Sequence, residues 1–149
     1  MDKVKIKGVI LTPLKKIYHP KGDILHGIKK IDKGYLGFGE AYFSTINYNE
    51  IKGWNRHKRM TLNLIVPMGE VIFVIYDERK KSTTKNNYSE YILSPVNYQR
   101  LTVPPDLWLA FKGKGNGTNL ILNIADIEHD SAEIERLELD KIAYNWSST

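Results

Sequence analysis

Ile51 to Arg79 reads IKGWNRHKRMTLNLIVPMGEVIFVIYDER, and the fold turns on how this stretch is read. Two runs rich in Val, Ile, Leu and Phe, Arg59 to Val66 and Val71 to Tyr76, flank the turn signal Pro-Met-Gly-Glu and predict a pair of buried strands. Just upstream, Lys52, Arg56, His57, Lys58 and Arg59 crowd into eight residues. A basic cluster at the mouth of an apolar strand pair can hold an anion beside an imidazole able to move protons, so the site is expected here.

The flanking sequence repeats the strand pattern. Upstream, the alternation in Val4 to Pro13 predicts a strand ending at proline, and Tyr18 to Asp23 is turn chemistry. In Ile24 to Lys29, alternation places His26 on one face with Ile24 and Ile28, as either a rim histidine or a site residue. Tyr35 to Ile46 predicts an aromatic strand on which Glu40, Tyr42 and Ser44 share a parity. Those polar groups either face water or line a polar pocket, because burying them unpaired is costly.

Downstream, Lys80 to Asn87 reads as a polar loop, Tyr88 to Leu93 as a returning strand, and Leu101 to Val103 as a short strand stopped by Pro104 and Pro105. Leu107 to Lys112 alternates, and the glycine-rich Gly113 to Gly117 turns into Thr118 to Ala125. That loop lacks the Gly-Lys-Ser/Thr ending of a phosphate cradle and reads as a hairpin. Asp130 or Ser131 can cap a short helix reaching about Leu139, with Glu133 in the capping-box position, and Ile142 to Trp146 reads as an edge strand. Short strands at spacings of roughly ten residues with one late helix predict an all-β antiparallel barrel or double-sheet jelly roll.

Composition bounds the function. The 149 residues suit a single domain spanning 1–149, and the absence of cysteine excludes disulfides and thiolate chemistry. No run approaches a membrane span, and MDKVKIKG lacks the apolar stretch of a signal peptide, so a soluble, cytoplasmic protein without a membrane partner is expected. The net charge of +5 favours anionic ligands, but the basic residues are spread along the chain and no nucleic-acid motif accompanies them.

Met68 to Arg79 (MGEVIFVIYDER) and Leu93 to Pro105 (LSPVNYQRLTVPP) together resemble the dTDP-4-dehydrorhamnose 3,5-epimerase family. Its members carry a Gly-Glu-Val strand leading to Asp-x-Arg, then Leu-Ser-x-x-Asn and Ile/Val-Pro-Pro before an apolar segment ending in Phe, here Phe111. The resemblance implies an RmlC-like cupin jelly roll, a homodimer sharing strands, and a nucleotide-sugar substrate handled without a metal or other cofactor.

The family's catalytic histidine belongs to an Arg-Gly-Leu-His-x-Gln signature, matched here by Lys52-Gly53-Trp54-Asn55-Arg56-His57. Ungapped counting puts Asn55 at the base position, and His57, two residues on, shares its face of a strand. The family's strand lysine falls near Leu62 or Asn63 and its tyrosine near Leu122 or Asn123, so neither is retained; the acidic partner of the base lies beyond this chain's end in longer members. Asn55 to Lys58 also resembles the His-x-His-Lys segment of sugar nucleotide 3,4-ketoisomerases in its second histidine and lysine. One imidazole with an amide and an arginine is a poor divalent-metal site.

The implied chemistry is proton abstraction beside the C4 ketone of a 4-keto hexose on a nucleoside diphosphate. His57 is expected as base, Tyr76 or Tyr42 as acid, and Asn63 or Asn55 as enolate donor, with Asp77 orienting a cation or a histidine. Lys52, Arg56, Arg59 and Lys29 are expected on the diphosphate, with Tyr98 or Trp54 stacking on the nucleobase. His26, Glu40 and Tyr42 complete the expected binding surface. A 3,4-ketoisomerase or a non-catalytic sugar-nucleotide-binding cupin are the alternatives.

Overall fold

The computed structural model describes residues 4–149; the leader reading falls partly on residues 1–3, outside the described residues. Twelve strands run in chain order: β1 Ile10–Pro13, β2 Lys16–Ile17, β3 Ile24–Leu25, β4 Glu40–Ile46, β5 Ile51–His57, β6 Leu62–Met68, β7 Val71–Tyr76, β8 Tyr88–Leu93, β9 Gln99–Val103, β10 Trp108–Gly113, β11 Asn119–Ala125 and β12 Ile134–Arg136. Two five-stranded sheets form, in the orders β1-β9-β6-β11-β4 and β12-β5-β10-β7-β8, with β2 and β3 as a separate small hairpin. From β4 onward the chain changes sheet at every connection except β7 to β8. This is the double-sheet jelly roll expected, an open sandwich rather than a closed barrel.

Alternation explains why the sheets face each other. Leu62, Leu64 and Val66 of β6 and Val71, Phe73 and Ile75 of β7 point into one shared core with Leu101, Val103, Leu109 and Ile121. The opposite parity of β7 and β10 packs outside the second sheet. There Trp54, Val74, Trp108, Ala110 and Ile142 form a second cluster, covered by Leu139, Tyr144 and Trp146 of the C-terminal segment.

Several sequence expectations change: the strands expected from Val4 and Tyr35 begin only at Ile10 and Glu40. The basic run at residues 51–57 is itself strand β5, and β6 begins at Leu62 rather than Arg59, because Lys58 to Met60 turn the corner between the sheets. The expected helix from Asp130 to about Leu139 is a single 3₁₀ turn, Ser131–Glu133, followed by β12. Asp130 does cap that turn, accepting from Ala132 N–H, but Ile134 to Arg136 pair with β5 instead of continuing helically. The tail folds as 3₁₀ turns at Leu139–Lys141 and Trp146–Ser148 instead of an edge strand, held by aromatic packing.

Candidate active site

A cavity of about 190 Å³ opens between the two sheets. Its walls are apolar, with Leu62, Leu64, Phe73, Leu109 and Phe111 among them, and its polar lining comes from Tyr42, Ser44, Lys52, Asn55, His57 and Asn123. A largely apolar cleft with few convergent polar groups is the usual form of a small-molecule site.

Strand β5 supplies half of that polar set through a bulge. Asn55 pairs with Leu109 and Lys52 with Phe111, so Gly53 and Trp54 together oppose Ala110 alone. The extra residue reverses the side-chain parity. Lys52, Asn55 and His57 therefore all line the cavity, while Trp54 is fully buried on the outer face. Only glycine fits at 53, where φ is +145° and a Cβ would lie 2.4 Å from that of Ala110.

His57 is tied to a buried carboxylate. Its Nδ1 lies 2.5 Å from Glu133 Oε1, and the Glu133 side chain is 2% exposed. Burial pushes the Glu133 carboxyl up, but hydrogen bonds from His57 and from the backbone N–H groups of Arg59 and Met60 outweigh it and hold the carboxyl below its ordinary value. An ionised carboxylate can only accept, so His57 Nδ1 donates in this pair, and in the neutral ring the lone pair falls on Nε2. A neutral imidazole held in this way can accept a proton through Nε2 at the cavity wall. Nothing local in the sequence announces Glu133 as its partner; the pairing of β12 with β5 brings it there.

The facing wall holds a second arrangement. Asn123 of β11 accepts the Asn63 backbone N–H on Oδ1 at 3.2 Å and donates from Nδ2 to Tyr42 Oη at 3.1 Å. The parity of NLILNIA, an asparagine among inward apolar residues, is the sequence signal that could have pointed to Asn123. At one end of the cavity Lys52 Nζ donates to the Thr45 carbonyl at 2.7 Å.

Several expected site residues lie outside this cavity. Asn63 has the opposite parity to Leu62 and Leu64 and sits outside the first sheet, accepting from Arg100 Nε and Thr102 Oγ1 and donating to the Gly34 carbonyl. Tyr76 is on the outer face of β7, stacked on Tyr88 with centroids 4.5 Å apart. Asp77 is wholly buried and organises the β7–β8 loop, accepting from Arg79, Ser82 and Thr84. Arg56 points away from His57, pairs with Glu78 and Glu135, and lies over the Trp108 ring. Arg59 is exposed beside Asp130.

The N-terminal positions are also elsewhere. His26 and exposed Lys29 belong to the segment between β3 and β4, where Gly27 and Lys33 carbonyls and Asp32 receive the buried Arg100 guanidinium. Glu40 opens β4 but does not line the cavity. Tyr98 donates its hydroxyl to the His26 carbonyl and Trp54 is buried, so neither ring is presented to the cavity as a stacking face. Among the described residues no three His, Cys, Asp or Glu side chains cluster as metal ligands, and no helix is long and apolar enough to cross a membrane.

The fold and sequence are similar to known sugar-modifying proteins. A dTDP sugar isomerase from Desulfovibrio desulfuricans G20 superposes with a TM-score of 0.92 at 33% identity, over 97% of this chain and 94% of that one. A probable low-salt glycan biosynthesis epimerase of Haloferax volcanii is 26% identical over 103 residues, 67% of this chain and 66% of that protein. The dTDP-4-dehydrorhamnose 3,5-epimerase of Elizabethkingia anophelis shares the fold, with a TM-score of 0.77 at 17% identity over 98% of this chain and 86% of that one. No protein-family profile matches.

Proposed function

The chain belongs to the dTDP-sugar isomerase family of RmlC-like cupins, and from this premise we propose that it is an epimerase of a dTDP-4-keto-6-deoxyhexose. It would invert C3, C5 or both by removing a proton next to the C4 ketone. The observation that carries this reading is the His57–Glu133 pair at the wall of an apolar cavity of about 190 Å³. That space suits a hexose ring and leaves the nucleoside diphosphate toward the mouth. His57 Nε2 takes the proton, Glu133 holds the tautomer and stabilises the imidazolium, and low dielectric around the ring strengthens both effects. Asn55 is the amide donor for the enolate oxygen, and Lys52 the cation for a phosphate.

The pathway and assembly follow from similar support. The Haloferax relative is named for glycan biosynthesis and a Bacillus subtilis relative for spore coat polysaccharide biosynthesis, so a polysaccharide or lipopolysaccharide product is in keeping with both. A homodimer is supported by the exposed apolar groups Leu36, Phe38 and Phe43 beside edge strand β4. A cytoplasmic location is in keeping with a chain free of cysteine.

Proton NMR of dTDP-4-keto-6-deoxyglucose in deuterated water tests the reaction. Exchange at C3 or C5 that disappears in His57→Ala is expected. Absence of exchange with every 4-keto sugar nucleotide tried, while dTDP still binds, would make the protein a binder instead.

A further inference from the structure

Asn55 pairs with Leu109 and Lys52 with Phe111, so three residue steps on β5 are matched by two on β10. In a regular strand Lys52 would share the outer face with Trp54 and Arg56, since side chains alternate with a period of two. Its place at the cavity wall therefore lasts only while the extra residue stays in the ladder. A bulge gives up regular pairing on one side, and contacts on the other side have to keep it in place.

Those contacts come from the segment that follows β12. The Trp54 backbone exchanges both of its hydrogen bonds with Leu137, each 3.0 Å long. The Trp54 indole is wholly buried in the outer cluster and meets the Trp146 ring, with centroids 5.9 Å apart and planes at 48°. Trp146 in turn lies edge-on to Tyr144 at 4.9 Å. The segment carrying these rings is fastened at two further points. Lys112, 8% exposed on β10, donates from Nζ to the Trp146 carbonyl and to Thr149 Oγ1, both at 3.1 Å. Tyr144 donates its hydroxyl to Glu90 of β8. A buried ammonium is costly without acceptors, so Lys112 and the segment hold each other. The indole N–H groups of Trp54 and Trp146 meet no acceptor among the described residues, so ring area and shape join the two side chains.

We infer that residues 137–149 act as a clamp on the β5 bulge, with Trp54 and Trp146 as positioning residues that keep Lys52 turned into the cavity. The consequence for substrate rests on the dTDP-sugar reading. When Trp146 is withdrawn, Trp54 loses its cover and the bulge relaxes toward regular pairing, which rotates Lys52 out of the cavity. Asn55 and His57 lie beyond the bulge, where β12 pairs with them and Glu133 ties the imidazole separately. The clamp therefore governs the grip on substrate and leaves proton abstraction alone.

Two variants release the clamp by different routes, Trp146→Ala by removing the ring and Lys112→Met by removing the anchor. Both side chains lie outside the core between the sheets, so both variants should fold, which their thermal midpoints will verify. Hydrogen–deuterium exchange reads the bulge without substrate: the Trp54 amide should exchange about tenfold or more faster in each variant, while β7 amides keep their wild-type protection. Calorimetric titration should show dTDP binding weakened by about tenfold, with the His57-dependent exchange rate at saturating keto sugar near wild type. Lys52→Ala combined with Trp146→Ala should bind no more weakly than Lys52→Ala alone, because the second change has nothing left to displace. Trp146→Phe, which gives up no hydrogen bond, should restore most of the affinity. Unchanged Trp54 exchange in folded Trp146→Ala would overturn the clamp. Additive losses in the double variant, or equal loss of protection in β7, would overturn it too, since either shows the segment acting elsewhere than through Lys52. Failure of the dTDP-sugar reading looks different: wild type would not bind dTDP, and the Trp54 amide would still decide for or against the clamp.

Discussion

His57 Nδ1 and Glu133 Oε1 lie 2.5 Å apart although 76 residues separate them in the chain. The carboxylate has two duties. Its Oε1 fixes the histidine tautomer, and its Oε2 receives the backbone N–H groups of Arg59 and Met60 at the corner between β5 and β6. The orientation of the imidazole and the turn that leads into β6 thus depend on one side chain.

This division sets the first prediction. Glu133→Gln keeps an acceptor for the turn but allows the imidazole to adopt the wrong tautomer, so kcat should fall by on the order of 100-fold with a small loss of stability. Glu133→Ala also strands two buried N–H donors and should lose about 1–3 kcal/mol for each, read as a shift in the urea midpoint. Equal activity in Glu133→Gln and wild type would remove Glu133 from the mechanism.

Lys52 reaches the cavity because of the bulge at Gly53 and Trp54. Lys52→Ala should weaken dTDP binding by about tenfold at low salt, with a smaller difference at high salt. Calorimetric titration at two ionic strengths measures this. An unchanged affinity would place the phosphates elsewhere.

Asp77 makes a pH prediction. Burial pushes its carboxyl up, but bonds from Arg79, Ser82 and Thr84 hold it well below the usual carboxylate range. Between the folded value and the unfolded value of about 3.9 the unfolded chain binds more protons, so this contribution is complete above about pH 5 and is lost as pH falls through the folded value. Asp77→Asn should therefore lower stability by about 1–3 kcal/mol at pH 7, and the gap to wild type should narrow on acidification. A gap that stays constant from pH 7 to pH 3 would show that the Asp77 carboxyl is not held down in the folded protein.

Asn63 and Tyr76 lie outside the cavity, and their variants should behave accordingly. Tyr76→Phe should leave kcat/KM unchanged. Asn63→Ala should lower the thermal midpoint, since buried Arg100 and Thr102 lose an acceptor, yet the folded fraction should turn over normally. A selective loss of kcat in either variant with full stability would return that residue to the reaction.

Local sequence was enough for much of the architecture. The apolar run Val71 to Tyr76, the Pro-Met-Gly-Glu turn and the Pro104–Pro105 stop each act within a few residues, and with the regular spacing of the strands they predict a double-sheet jelly roll. The same period placed Asn55 and His57 on one face, as they are. What sequence alone could not decide lies in contacts between distant strands. The β5 bulge exists because Gly53 meets Ala110 of β10, and it reverses the parity that would have put Lys52 on the other side. Glu133 reads as a helix cap until β12 pairs with β5. Tyr42, one of nine tyrosines and a candidate from its parity with Ser44, gains its hydrogen-bond partner only from Asn123, 81 residues away. Side-chain period is a property of a few neighbouring residues, whereas His57, its carboxylate partner and the polar groups of the facing wall come together only when the two sheets close over one cavity.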